Sequence, residues 1–564
     1  MVKVRVKMMV DDGEFAPLRT AEQTEGFEVT SEEFFLDGPV TKQVAVLDLD
    51  EKTGLLEPGV RYVPPPPGKT LGRYDIADPP DITSRAFNQV SVFATVLKTI
   101  QMFQKSDVLG REVSWAFEAP QLLVVPRAGQ MENAYYECYS HSLQFFYFPS
   151  HVDKRKIVYT SLARDIVAHE TGHAILDGIA PHLWSAIAPQ SRALHEAIAD
   201  LAALLVSIDS PTLREAVLAK TRGSIKQSTH FSALAEQFGM ERGTGALRNL
   251  YDEDLVLGSH VRSEEHDLCR VLAAALFSVL VRMHEDRKRQ LASGPDDYPV
   301  SGKALILAAE QFRRMVMRAL DYLPPGEISF ADYGRAIIAP DQAAYPRQKK
   351  ERQWLCDEFV RRHMVDGPEA LAVTPPPPDG LKGIDLQALV DSDWAAYDFA
   401  NSERGRQLLA IPPGVQFHIE PRLQVDREYR HKKKDGKPND QKVAECLFKA
   451  WWYHEEVNRL GPSFPGRRTI ACGTTMAWDQ ETGELRVLLT SNPERHPGEH
   501  AVQQADRDAM LGRLVDEGVL RPGPPRLGPD GRPLRFEASV ETTERTMRIA
   551  SIARTFHLAR GVLP

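Results

Sequence analysis

The spacing of hydrophobic positions changes near residue 164 of this 564-residue chain. Before that point, apolar residues come in short runs, and Val2, Val4 and Val6 alternate with basic residues, which predicts a strand. After it, they recur at three- and four-residue steps as far as about Met364, which is typical of helices. A β-rich half followed by a helical half predicts an α+β architecture.

The expected elements follow from these patterns. Helices are predicted at Phe87–Phe103, Leu194–Ile208, Leu268–Met283 and Val443–Val457, and strands at Val113–Phe117, Leu122–Val125, Asn133–Tyr136 and Leu143–Phe148. A hairpin is predicted from Thr469–Trp478 and Leu485–Thr490, joined by a turn that contains Gly483.

Two tetraproline runs, Pro64–Pro67 and Pro375–Pro378, divide the chain. Such runs form stiff polyproline II spacers. We therefore predict a β-rich accessory segment at residues 1–67, a central unit at 68–374 and a C-terminal α+β region at 379–564.

Composition and charge narrow the classes of function. The chain is 42% hydrophobic and 26% charged, as in ordinary globular proteins, and its formal net charge of −9 argues against nucleic acid as the main partner. The five cysteines are scattered and form neither a disulfide framework nor a CxxC zinc site.

The sequence predicts no membrane span. The most apolar segment, Leu268–Met283, carries Arg270 and Arg282 and is shorter than the roughly 20 residues that a span needs. The N-terminal residues have strand patterning and lack the apolar centre of a signal peptide. We expect a cytoplasmic location, with leaderless export as the alternative.

The stretch Leu162–Leu176 carries the strongest chemical signal. It contains His169, Glu170 and His173 in a helical pattern, so the two imidazoles share one face and can bind one metal ion. Glu170, offset by one position, can reach a metal-bound water without being a ligand. This spacing is typical of zinc hydrolases.

A second predicted helix supplies two carboxylates. Glu196 lies 23 residues after His173 and would complete a His₂Glu zinc site, whereas Asp200, one turn later, could orient a ligand histidine. A solvated helix face is the competing interpretation. The surrounding residues Ala197, Ile198 and Leu201 favour burial, and buried carboxylates need partners.

These two segments together resemble the thermolysin-type and fungalysin-type zinc endopeptidases, the gluzincins. Asn133-Ala134-Tyr135-Tyr136 is similar to the segment with which that family holds an extended peptide at a strand edge. The resemblance covers roughly residues 85–365. It implies a thermolysin-like fold for the central unit and a Zn²⁺ cofactor.

The resemblance also implies a downstream histidine that stabilises the oxyanion. We favour His266 for this role, with His260 as the alternative. The family's tyrosine between the second histidine and the glutamate is missing here, because residues 174–195 contain no tyrosine. His182 and Trp184 are the candidates to take its place.

The expected function is peptide-bond hydrolysis by a zinc-activated water, with Glu170 as general base and then general acid, on a protein or peptide substrate. A weak or inactive relative that binds peptides is the first alternative, supported by the missing tyrosine. A zinc hydrolase acting on a small substrate is the second, and the Asn133-Ala134 segment argues against it.

Overall fold

The computed structural model describes residues 2–10, 23–31, 34–50, 53–227, 229–234, 248–258, 265–432, 438–522, 539–542 and 546–551. Within them the chain mixes helices and sheets, so the α+β prediction is confirmed. No helix among these residues is long and apolar enough to cross a membrane.

The first half of the chain contains short strands and one long helix. Its elements are β1 (Val2–Met9), β2 (Thr24–Ser31), β3 (Val44–Val46), β4 (Tyr62–Val63), β5 (Leu71–Tyr74), α1 (Arg85–Gln104), β6 (Leu122–Val125), β7 (Ala134–Glu137), β8 (Ser142–Phe145), β9 (Tyr147–Pro149) and β10 (Ile157–Tyr159).

Helices dominate the following region, and long strands dominate the last. The elements are α2 (Arg164–Ile179), α3 (Pro181–Trp184), α4 (Pro189–Ile208), α5 (Pro211–Thr221), β11 (Ala233–Leu234), β12 (Arg248–Asn249), α6 (Glu265–Leu291), α7 (Tyr298–Tyr322), α8 (Phe330–Ala344), α9 (Lys350–Arg361), α10 (Leu386–Asp391), α11 (Asp393–Asn401), α12 (Glu403–Leu409), β13 (Phe417–Lys432), β14 (Pro438–Val457), β15 (Arg467–Asp479), β16 (Leu485–Thr490), α13 (Pro497–Asp516), β17 (Ser539–Thr542) and β18 (Thr546–Ser551).

The N-terminal sheet, in the order β2-β1-β5-β4, packs on α1. Val4, Val6 and Met8 of β1 point into the main core, while Lys3 and Arg5 on the opposite face are exposed. The strand alternates because one face is buried and the other solvated. The accessory segment therefore shares its core with the central unit.

A second sheet, in the order β3-β6-β8-β7, leaves β7 at its edge. The strand predicted at Val113–Phe117 is wrong, since these residues have no regular secondary structure. Their backbone packs against α2 instead of a neighbouring strand, because a Cβ on Gly178 would lie 1.8 Å from the carbonyl oxygen of Ser114.

The C-terminal region is built on the antiparallel strands β13, β14, β15 and β16. The predicted hairpin is confirmed as β15 and β16, but the helix predicted at Val443–Val457 is wrong because these residues belong to β14. Cys446 and Phe448 face a local core and Leu447 faces the main core, so residues 445–450 are all buried. A strand covered on both faces loses the period-two pattern.

Candidate metal centre

Helix α2 is surrounded by protein, and this burial organises the site. It packs against α1, α4 and β7, and His169, Glu170 and His173 are all buried. Gly172 lies where α2 meets α4, and a Cβ there would lie 3.0 Å from Ala199 Cα. A side chain here would require the helices to shift apart by a few tenths of an ångström, so the glycine favours the close approach that brings the carboxylate of α4 to the histidines of α2.

The structure brings His169, His173 and Glu196 together as a possible metal-binding group, with ligand atoms all within 4.8 Å of one another. The two Nε2 atoms are 3.0 Å apart. Glu196 Oε1 lies 3.5 Å from His173 Nε2, and Oε2 lies 3.7 Å from His169 Nε2. Ligands about 2.0–2.1 Å from a tetrahedral zinc ion are separated by about 3.3 Å, so the donor set fits zinc.

The outer nitrogen of His169 faces a carboxylate. Its Nδ1 lies 2.9 Å from Oδ1 of Asp200, which is buried on α4 one turn after Glu196. A carboxylate at this position fixes the ring so that Nε2 presents its lone pair, and it raises the basicity of that nitrogen. The sequence predicted an orienting role for Asp200.

The outer nitrogen of His173 faces a second imidazole, a contact that sequence reasoning missed. His173 Nδ1 lies 2.6 Å from His195 Nδ1, and the two rings meet edge to edge, with an interplanar angle of 18° and centroids 4.8 Å apart. If Nε2 of His173 holds a metal, its single ring proton lies on Nδ1 and is donated to His195. Its place next to Glu196 was the only sign of this role in the sequence, because α4 is buried on every side and its pattern does not mark His195.

Glu170 contacts the edge strand of the second sheet. The backbone N–H of Tyr136 donates to Glu170 Oε2 at 2.9 Å. Two residues earlier on the same side of β7, the N–H of Ala134 donates to Oδ1 of Asn133 at 2.9 Å. Glu170 therefore lies beside the edge at which an extended chain could pair with β7.

A fourth buried carboxylate supports this strand. The hydroxyl of Tyr136 donates to Asp177 Oδ2 at 2.8 Å. Burial raises the pKa of Asp177 to about 6, while hydrogen bonds from Tyr136 and Cys138 oppose the shift. Burial also raises the pKa of Cys138, to about 12. Asp177 thus links the far end of α2 to the strand whose backbone holds Glu170.

Of the two histidines proposed for the oxyanion, the structure describes one. His266, the second residue of α6, has Nδ1 3.6 Å from Glu196 Oε2, and 41% of its side chain is exposed. It therefore lies at the rim of the group formed by His169, His173 and Glu196. His260 lies outside the described residues.

The two candidates for the missing tyrosine point in different directions. Trp184 contacts the rings of Tyr136 and His195, with centroids 5.2 and 5.3 Å away, so it packs behind the site. His182 lies against Trp451 of β14 at 4.8 Å. Burial lowers the pKa of His182 to about 4, and the nearby charge of Lys449 adds to this effect.

Comparison with known proteins gives no family for this chain. No protein-family model matches it, and no curated protein matches it significantly.

Proposed function

We propose that this protein is a zinc-dependent endopeptidase whose central unit has a thermolysin-like fold. The observation that carries the proposal is the convergence of two imidazole nitrogens and one carboxylate, 3.0–3.7 Å apart, on a buried point beside Glu170. His169, His173 and Glu196 would hold the metal, which leaves a fourth position open as catalytic zinc sites require.

The bound metal would polarise a peptide carbonyl and make a water molecule more acidic. Glu170 accepts the proton from that water and then delivers it to the departing amine. The N–H of Tyr136 fixes one oxygen of Glu170, so the carboxylate keeps a defined orientation during both transfers. His266, at the rim, donates a hydrogen bond to the developing oxyanion.

The substrate we propose is an extended peptide segment. Strand β7 is the outer strand of its sheet, and Ala134 and Tyr136 direct their amides to the side on which Glu170 lies. A peptide that pairs with this edge through backbone hydrogen bonds would bring a scissile bond next to Glu170 whatever its side chains. A small-molecule hydrolase has no need of such an edge.

The test uses the full chain with an unfolded protein as substrate. We expect cleavage that a zinc chelator removes and added zinc restores. Glu170→Gln should lower the rate by roughly 10²–10⁴-fold, because it removes the proton acceptor while leaving zinc content unchanged. Glu215→Gln, an exposed residue of α5, is the matched control and should cleave like the natural protein.

The alternative is a relative that binds peptides without cleaving them. The absence of a tyrosine between residues 174 and 195 favours it. Stoichiometric zinc and saturable binding of unfolded peptides, with no cleavage products from the natural protein, would establish this alternative. Failure to retain zinc at all would refute both.

A further inference from the structure

A fully buried arginine lies where helix α7 meets the C-terminal sheet. Arg318 is 1% exposed, and within the described residues none of its three nitrogens has a hydrogen-bond partner. One turn earlier on the same helix, the Nε of Arg314 is also buried without a partner in the described chain. A buried cation without acceptors is strongly unfavourable.

Two tyrosine rings account for part of the surroundings of Arg318. Its guanidinium carbon lies 5.9 Å from the ring centre of Tyr345, at the end of α8, and 5.5 Å from that of Tyr429 on β13. Arg314 lies 4.2 Å from the ring centre of Tyr345. Aromatic faces attract the face of a guanidinium, whereas its N–H donors point outward in its plane and need oxygen acceptors.

The carboxylate that interacts electrostatically with both arginines already has a hydrogen-bonded partner. Asp341 interacts electrostatically with Arg314 and Arg318, but its Oδ2 accepts a 2.5 Å hydrogen bond from Arg352. Its other oxygen, Oδ1, is buried with no hydrogen-bond partner in the described structure. Asp341 and Arg352 therefore balance each other, and neither Arg314 nor Arg318 forms an ion pair with a described carboxylate.

Other arginines at this junction form ion pairs with carboxylates. Arg427 binds Asp321 at 2.6 Å and Glu445 at 2.7 Å, and Arg111 also binds Asp321 at 2.7 Å, which pairs two cations with two anions. Lys449, also buried here, donates to the carbonyl oxygen of Leu323. Arg314 and Arg318 are thus the arginines of the described junction that lack a carboxylate partner.

A further arginine beside Tyr429 is also paired with a carboxylate. Arg486, which also lies 5.9 Å from the ring centre of Tyr429, binds Asp479 at 2.6 Å. Within the described residues, the arginines without a carboxylate partner at this junction therefore lie on one turn of α7.

We propose that Arg314 and Arg318 form an internal binding site for a phosphate-like oxyanion. The planar donors of a guanidinium match the oxygens of a tetrahedral anion, and a dianion would neutralise both arginines at once. Arg314 retains 8% exposure, so the anion reaches Arg318 from that side. Once bound, it ties α7 to β13 and so joins the central unit to the C-terminal sheet. This site is independent of the proposed peptidase activity.

Inorganic phosphate is the probe. We expect 10 mM phosphate to raise the unfolding temperature of the full chain by about 3 °C over sodium chloride of equal ionic strength, as ligand binding to the folded state requires. Arg318→Met keeps an unbranched apolar stem, removes the guanidinium and should abolish this rise. Because it also removes an uncompensated buried charge, it should leave the unfolding temperature in chloride unchanged or raised.

Arg362→Met is the matched control. Arg362 is equally buried, but it donates to the carbonyl oxygens of Leu255 and Asp252 at 2.8 and 2.7 Å. Its loss should lower the unfolding temperature in chloride while preserving the response to phosphate. Equal phosphate responses in the natural protein and Arg318→Met would refute the proposal.

A crystal structure grown from phosphate provides a test that needs no variant. We expect tetrahedral density within hydrogen-bond distance of Arg318. Water molecules alone at the guanidinium, or a direct contact from Asp341 Oδ1, would overturn the site.

Discussion

Two groups of buried carboxylates in this protein have opposite surroundings. Glu196 is faced by imidazole nitrogens, with His173, His169 and His266 at 3.5, 3.7 and 3.6 Å. At the junction between α7 and the C-terminal sheet, Asp321 is faced by guanidinium groups, as its contacts with Arg427 and Arg111 show.

The difference shows what each group needs. A neutral imidazole offers a lone pair, so a carboxylate among imidazoles creates a site that favours a cation. A guanidinium is always charged, so Asp321 and the arginines that face it neutralise one another and bind no metal. Burial and ion-pair distances alone do not distinguish the two groups. The chemical type of the partner side chain does.

The largest expected effect contrasts the two carboxylates directly. Glu196→Gln should lose bound zinc and lower peptide cleavage by about 10³-fold, because it removes one of three ligands. Asp321→Asn should keep zinc at one equivalent and reduce activity only as far as it reduces the folded fraction. Metal analysis and cleavage rates on the same preparations distinguish the two results. Loss of zinc from both variants would contradict the different roles assigned to Glu196 and Asp321.

Substitutions at the junction should change the stability of the protein and leave its zinc content unchanged. Arg427→Met leaves the carboxylates of Asp321 and Glu445 buried with fewer partners, so the free energy of unfolding should fall by about 3–5 kcal/mol. In the Arg427→Met variant, Glu445→Gln should lower the free energy of unfolding by less than it does in the natural protein, since the two residues share one network. Denaturant unfolding measures both, and strictly additive losses would contradict the network.

Asp177 is an intermediate case, because its partners are neutral. The Tyr136 hydroxyl donates to it, and burial raises its pKa to about 6 from 3.8. The folded state therefore holds this proton more tightly than the unfolded state. The resulting stability is complete below about pH 4 and is lost as the pH rises through 6.

Asp177→Asn, a permanently neutral mimic of the acid, removes this dependence. Compared with the natural protein, it should gain up to about 3 kcal/mol of unfolding free energy between pH 4 and pH 7. The exposed residue Asp398 on α11 supplies the control Asp398→Asn, which should follow the natural protein. Parallel stability curves for the natural protein and Asp177→Asn would show that Asp177 is ionised throughout.

The sequence predicted the parts of the site that depend on spacing within one helix. His169 and His173 are four apart on α2, and Glu196 and Asp200 are four apart on α4, so each pair shares a face. The role of His195 could not be predicted, because a helix buried on every side has no periodic pattern that marks the direction of a single residue.

The parts that were missed depend on contacts between distant segments. Strand β14 was mistaken for a helix because Leu447 and Phe448 are buried on opposite faces by different regions of the chain. Arg427 joins the backbone of Leu109 to the side chain of Asp321, more than a hundred residues away in either case. Local patterning carries no information about such partners, whereas the overall α+β order follows from it.

The smallest expected effect compares the two residues behind the ligand histidines. Asp200→Asn keeps an acceptor near His169 but removes its charge, so zinc affinity should fall by about 10–100-fold. His195→Asn replaces one neutral acceptor with another near His173, so its effect should stay at the lower end of that range. Competition with a chromogenic chelator at fixed pH measures both affinities. If charge is what tunes the metal, Asp200→Asn binds zinc more weakly than His195→Asn, and the reverse order would assign the main role to the hydrogen-bonded imidazoles.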